Sequence, residues 1–114
     1  MRAWMVGLGV ATALMASPAA AASFDCARAR APDEIAICGD RALNDQDVRE
    51  ALLHDNSRHF VAKGRRGVID DEQVAWLRGR HACGANRQCL TAAYAHRIER
   101  LQAVIGEVES HGPF

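Results

Sequence analysis

All four cysteines of this chain, Cys26, Cys38, Cys83 and Cys89, lie beyond an apolar amino-terminal leader and fall into two close pairs. The leader decides what they become. Arg2 supplies a short positive start, Trp4 to Ala16 are apolar or small, and Ser17-Pro18 lead into an alanine run ending at Ala22. This pattern reads as a secretory signal peptide over residues 1–22, cleaved near Ala22, ahead of a single domain over residues 23–114. The apolar stretch is too short for a convincing membrane span. Ser23, Phe24 and Asp25 separate the small-residue run from Cys26, which argues against a lipid anchor and for a periplasmic or secreted protein free of the membrane after cleavage. An even cysteine count in a small exported chain predicts two disulfides. Three pairings are open, and the local one, Cys26 with Cys38 and Cys83 with Cys89, is favoured because each bond then closes a short loop.

A mature chain of about ninety residues is near the size at which a hydrophobic core alone is marginal, so covalent staples matter. Removing Arg2 with the leader leaves thirteen basic residues against fourteen acidic, a nearly neutral domain without the basic footprint of a nucleic-acid binder. Thirteen of the fourteen basic residues are arginine, which suits fixed bidentate contacts to carboxylates; genomic bias explains it equally well. The composition does not set an oligomeric state.

The local signals predict an all-α domain, a short N-terminal helix followed by antiparallel longer ones. Pro32 with Asp33 and Glu34 suits a first turn, and that helix carries Ile35 and Ile37 to Cys38 before Gly39 ends it. Asp40 can cap a second helix through Leu43, Val48, Leu52 and Phe60. Gly64-Arg65-Arg66-Gly67 is expected to break it. A third helix is expected to start at Asp70 or Asp71, carry Val74, Trp76 and Leu77, and end near Cys83-Gly84, where glycine suits a left-handed residue. Asn86 then caps a fourth helix, whose Leu90, Tyr94, Ile98, Leu101, Ile105 and Val108 recur at three- and four-residue spacing.

Phe24-Asp25-Cys26, Pro32, Glu34, Ile37-Cys38, Asp40, Leu43 and Asp47, followed by Trp76-Leu77, Cys83, Cys89, Tyr94 and Arg97-Ile98, resemble the LprI-type lysozyme inhibitor family over essentially the whole mature domain. The resemblance implies a small exported four-cysteine helical fold and inhibition of lysozyme, an activity its name takes from few members. The chain departs from the usual pattern on the second helix. Gln46 stands where a leucine is usual, Glu50 where an apolar residue is, and His54 where a tyrosine is common.

Inhibition in such a family implies a rigid projection that fills the carboxylate-bearing groove of a lysozyme. Two segments are candidate contacts: the disulfide-closed turn with Asn86, Arg87 and Gln88, and a tip at Lys63 to Gly67 whose Arg65 and Arg66 can meet cleft carboxylates. Each also reads as ordinary structure, a stapled helix turn and a solvated loop. A nearly neutral inhibitor gains little long-range attraction to a basic enzyme, so a complex must rest on shape and short-range contacts.

A periplasmic metal-binding or envelope-stress interaction module is the alternative, since His54, Asp55 and His59 offer ligands on one helix. Their spacing of five separates the histidines around that helix, unlike same-face metal pairs, and no metal site or cofactor is assigned. No phosphate loop, nucleophile elbow or Cys-x-x-Cys pair is present. Asp70, Asp71 and Glu72 read as helix-start acids, so no catalytic residues are assigned and a non-catalytic protein is expected. Trp76 and Tyr94 are placed in the interhelical core. Arg97 is expected to bond helix ends, to pair with an acid such as Asp47, or to stack on Trp76.

Overall fold

A computed structural model describes residues 22–111 and, ahead of them, positions 3, 7 and 9–11. Most of the expected leader therefore lies outside the described residues. Among the described residues the domain is all helical: a 3-10 turn over Cys26–Arg28, then α1 (Pro32–Gly39), α2 (Arg41–Phe60), α3 (Lys63–Ala82) and α4 (Arg87–Ser110). Both favoured disulfides form, with Cα–Cα distances of 5.8 Å for Cys26–Cys38 and 5.5 Å for Cys83–Cys89.

The caps follow the local chemistry. Pro32 opens α1 and Asp33 and Glu34 follow it in the first turn. Asp40 alone joins α1 to α2, and its carboxylate accepts from the amides of Ala42 and Leu43. Gly84 takes φ +56 where α3 ends, the left-handed conformation in which a Cβ is strained. The Asn86 side chain accepts from the Cys89 amide at 3.0 Å and starts α4.

Side-chain pairs set the topology. Arg65 meets Glu107 at one end of α3 and Trp76 meets Ala93 further along it, so α3 and α4 run antiparallel. Arg58 with Asp70 and Asp47 with Arg80 make α2 and α3 antiparallel too. The outer two of these helices are consequently parallel. Asp40–Arg87, Asp47–Tyr94 and Glu50–Arg97 all join residues 47 apart, so one register serves the length of the α2–α4 contact.

Two apolar clusters flank this interior. Near the disulfides, Ile37, Leu43, Leu90, Tyr94 and Ile98 pack with Phe24, Leu53, Trp76 and the half-buried Cys26, Cys38 and Cys83. At the far end Val61, Ile69 and Val104 pack with Val108. The fourth-helix stripe is buried as expected at Leu90, Tyr94, Ile98 and Leu101, with Val104 in addition.

Two expectations are corrected. The apolar face assigned to α2 is wrong beyond Leu43: Val48, Leu52 and Phe60 are exposed, and the buried stripe is Leu43, Asn44, Asp47, Glu50 and Ser57. On α3, Val74 and Leu77 likewise face outward, while Ile69, Trp76 and Arg80 turn inward. The second correction concerns the break. Gly64 to Gly67 is no loop, because α2 ends at Phe60, Val61 and Ala62 make the turn, and α3 already begins at Lys63 rather than at Asp70 or Asp71. Val61 is buried in the far cluster, which turns the chain there. Arg66 Nε then donates to the Arg58 carbonyl at 2.9 Å, satisfying an acceptor that the last turn of α2 leaves open.

A Cβ added at Gly67 would meet nothing within 4 Å. Gly67→Ala is therefore expected to raise unfolding stability by about 0.5–1 kcal/mol through helix propensity. Urea titration read on Trp76 fluorescence checks this; a destabilised variant contradicts the helical start of α3.

Candidate functional site

The segment from Cys83 to Cys89 forms a covalently closed turn at the end of the bundle where α1 meets α2. Ala85 through Cys89 are exposed, but their backbone is fixed. Asn86 is held by its capping bond, and Arg87 Nε donates to Asp40 Oδ2 at 2.6 Å while its side chain stays 68% exposed. That guanidinium, with the Leu43 amide, keeps the Asp40 carboxyl below the ordinary range, so the pin between the tip and the α1–α2 junction is charged at neutral pH. Gln88 is exposed beside them. The Cys26–Cys38 bond supports the same apolar cluster as Cys83, so both staples brace one end.

Arg65 and Arg66 lie at the opposite end. The eighteen residue steps from Arg65 along α3 to its cap at Cys83 span roughly 27 Å, too far for the two expected contact segments to share a small footprint. Both arginines also have structural partners: Arg65 Nη2 pairs with Glu107 at 3.3 Å, and Arg66 closes the end of α2.

Between the ends the bundle buries charge. Asp33 and Asp47 are each 1% exposed, and Arg80 lies between them, with Nε 3.0 Å from Asp33 Oδ2 and Nη1 3.6 Å from Asp47 Oδ1. Its guanidinium carbon sits 5.4 Å from the Phe24 ring centroid and 5.9 Å from that of Trp76. Tyr94 donates its hydroxyl to Asp47 Oδ1 at 2.8 Å, and burial together with the Asp47 charge pushes the phenol pKa far up, so it stays protonated. Trp76 meets Tyr94 edge to face at 5.1 Å and donates Nε1–H to the Ala93 carbonyl. Trp76 and Tyr94 thus occupy the interhelical core expected of them, with Leu77 outside it.

Of the roles open to Arg97, pairing with acids is the one found, with Glu72 and Glu50 as the partners, while Asp47 and the Trp76 ring go to Arg80. Arg97 donates to Gln73 Oε1 at 3.0 Å, Glu72 Oε2 at 3.3 Å and the Ile69 carbonyl at 3.4 Å, and lies 3.6 Å from Glu50. The spacing of four from Trp76 to Arg80, which puts both on one helix face, was the signal for the stacking residue. Nothing local in the sequence marked Asp33 or Glu50 as buried.

A cleft of about 310 Å³ opens over this interior between the Ser23–Phe24 strap, α2 and α3, with Glu50, His54 and Gln73 on its wall. Glu50 Oε1 and the His54 Nδ1 atom are buried there without hydrogen-bond partners. Burial raises the Glu50 pKa against the opposing bonds of Gln73 and charge of Arg97. Burial and the Arg97 charge lower that of His54, which favours its neutral form. Both positions are among the departures from the family pattern.

The metal alternative gains no geometry. His54 lies 3.6 Å from Asp70, the His59 ring meets the Asp55 carbonyl of its own helix, and among the described residues no three His, Cys, Asp or Glu side chains gather as a metal site. Compared with protein-family models, curated proteins and solved structures, the chain matches none.

Proposed function

We propose that this chain is an exported, non-catalytic binding protein whose braced tip enters the cleft of a partner. More particularly, we infer an LprI-type inhibitor of lysozyme working in the periplasm or outside the cell. The observation that carries the reading is the tip itself: a turn closed by Cys83–Cys89, pinned by Arg87 to Asp40 at 2.6 Å, with Gln88 exposed. Such a projection loses little freedom on binding, and that saving appears as affinity. Two disulfides support an oxidising compartment. No helix among the described residues is long and apolar enough to cross a membrane. The tip is the better candidate of the two segments, because Arg65 and Arg66 stand 27 Å away by the same helix-rise estimate of about 1.5 Å per residue and serve the ends of α2 and α4.

Titration of lysozyme-driven peptidoglycan lysis with the oxidised mature protein tests this. Saturable one-to-one inhibition is expected, with Gln88→Glu raising the required inhibitor concentration about ten-fold, a change of about 1.4 kcal/mol. Arg65→Ala is expected to leave it unchanged. An absence of inhibition at micromolar protein across a panel of lysozymes would remove the activity, and equal loss from both variants would remove the tip.

A further inference from the structure

We propose that hydrolysis of the Ala22–Ser23 bond makes a ligand for the domain's own interior, the α-ammonium of Ser23, and that the buried carboxylate of Asp47 is its receptor. The inference rests on the reading of residues 1–22 as a cleaved leader. Its geometry is independent of that reading: the Ser23 backbone nitrogen lies 2.6 Å from Asp47 Oδ2, while Ser23 itself is exposed.

The other Asp47 oxygen is already committed. Oδ1 accepts from Tyr94 at 2.8 Å and lies 3.6 Å from Arg80 Nη1. Arg80 in turn serves Asp33 at 3.0 Å, and the mostly exposed His81 ring touches the second Asp33 oxygen. Two buried carboxylates thus share one guanidinium, and Glu50, one turn further along α2, adds a third acid with its own partner in Arg97. Around Asp33, Asp47 and Arg80 one positive charge is missing, and an ammonium at Ser23 supplies it.

The chemistry balances with water and a leader peptidase. Water adds across the peptide bond, Ala22 leaves as a carboxylate with the leader, and the Ser23 amine takes a proton at neutral pH, where α-amino groups have pKa values of about 7.7–8.0. The amide N–H bond to the Asp47 carboxylate is charge-assisted on the acceptor side alone; protonating the freed amine charges the donor as well and turns the contact into a hydrogen-bonded ion pair. Cleavage also takes away Ala22, which is 8% exposed and belongs to the core cluster, so the new ion pair must outweigh the loss of one buried methyl group. Processing therefore completes the interior, and the mature chain is the more stable form.

Amino-terminal sequencing of the exported protein is the first arm. Ser23 is expected as the first residue, and a different start overturns the cleavage site. The second arm compares mature protein carrying a free Ser23 amine with the N-acetyl form, both made by peptide ligation at Cys26. Acetylation is expected to lower Tm by roughly 5–10 °C, and the two forms are expected to coincide in an Asp47→Asn background. The Ser23 α-amino pKa, followed by NMR on the wild-type protein, is expected above its ordinary range and gives a readout even if Asp47→Asn does not fold. A Ser23 start with no acetylation effect and an ordinary α-amino pKa overturns the ion pair while leaving the leader reading intact.

Discussion

Arg80→Ala is expected to destabilise the domain by about 3–5 kcal/mol, the cost of leaving a buried charge unpaired. Against a typical total of roughly 5–15 kcal/mol, that loss brings the protein to the edge of unfolding at room temperature. The cause is specific. Asp33 and Asp47 are 1% exposed, and Arg80 is the side-chain cation that holds both. Burial alone would raise the Asp33 pKa, but the hydrogen bond and charge of Arg80 outweigh it and bring the carboxyl below its ordinary value. A lowered folded-state pKa means that this stabilisation is present above the unfolded-state pKa and disappears as pH falls through the folded value. Wild-type protein should therefore lose stability on acidification through the carboxylate range. In Arg80→Ala the His81 and Glu34 hydrogen bonds alone oppose burial, and most of the Asp33 contribution should be lost. Urea titrations at several pH values, read on Trp76 fluorescence, measure both effects. Arg100→Ala is the control, since its contact with Glu72 lies at the surface and is expected to contribute at most about 1 kcal/mol. Equal, small losses in the two variants would contradict the account of the interior.

Reduction of both disulfides is expected to have an effect of similar size. Closing loops of sequence separation 12 and 6 removes unfolded-state entropy equivalent to about 3 and about 2.4 kcal/mol by the loop-closure relation. Together they approach the low end of a small domain's stability. Reduced protein should melt at least about 20 °C lower, and Cys83→Ser with Cys89→Ser should fall less than Cys26→Ser with Cys38→Ser. The two pairs differ in what they disturb as well. Loss of the shorter loop frees the tip around Asn86 and Gln88, whereas loss of the longer one frees the strap carrying Phe24 and Ser23 from α1. Calorimetric melting of the oxidised, singly bridged and reduced forms checks the order.

Elements whose signals are local were legible in the sequence. Asp40, Asn86 and Gly84 each act through their own backbone neighbourhood, and all three sit where their chemistry places them. The stripe from Leu90 to Leu101 was equally plain, because α4 buries mostly apolar residues. The middle helices hide their inward faces from such a pattern because those faces are polar. Asp47, Glu50, Ser57 and Arg80 break a hydrophobic period that solvent-facing Val48, Leu52 and Val74 imitate. The start of α3 was hidden for a related reason. Lys63, Arg65 and Arg66 lie against the positive end of the helix dipole, an arrangement that no propensity favours but that Glu107 and the Arg58 carbonyl offset. Of the candidate site, the braced turn was readable from the cysteine spacing, while the Arg87–Asp40 pin and the cleft over Glu50 and His54 depend on contacts between helices.

Hydrogen-exchange mapping of the oxidised mature protein, free and with an excess of lysozyme, tests the binding account most directly. The account predicts new protection in the tip from Gly84 to Leu90 and at the neighbouring Gly39–Asp40 junction, with the Lys63–Gly67 end unchanged. Protection centred on Lys63–Gly67, or none at micromolar lysozyme, would contradict it.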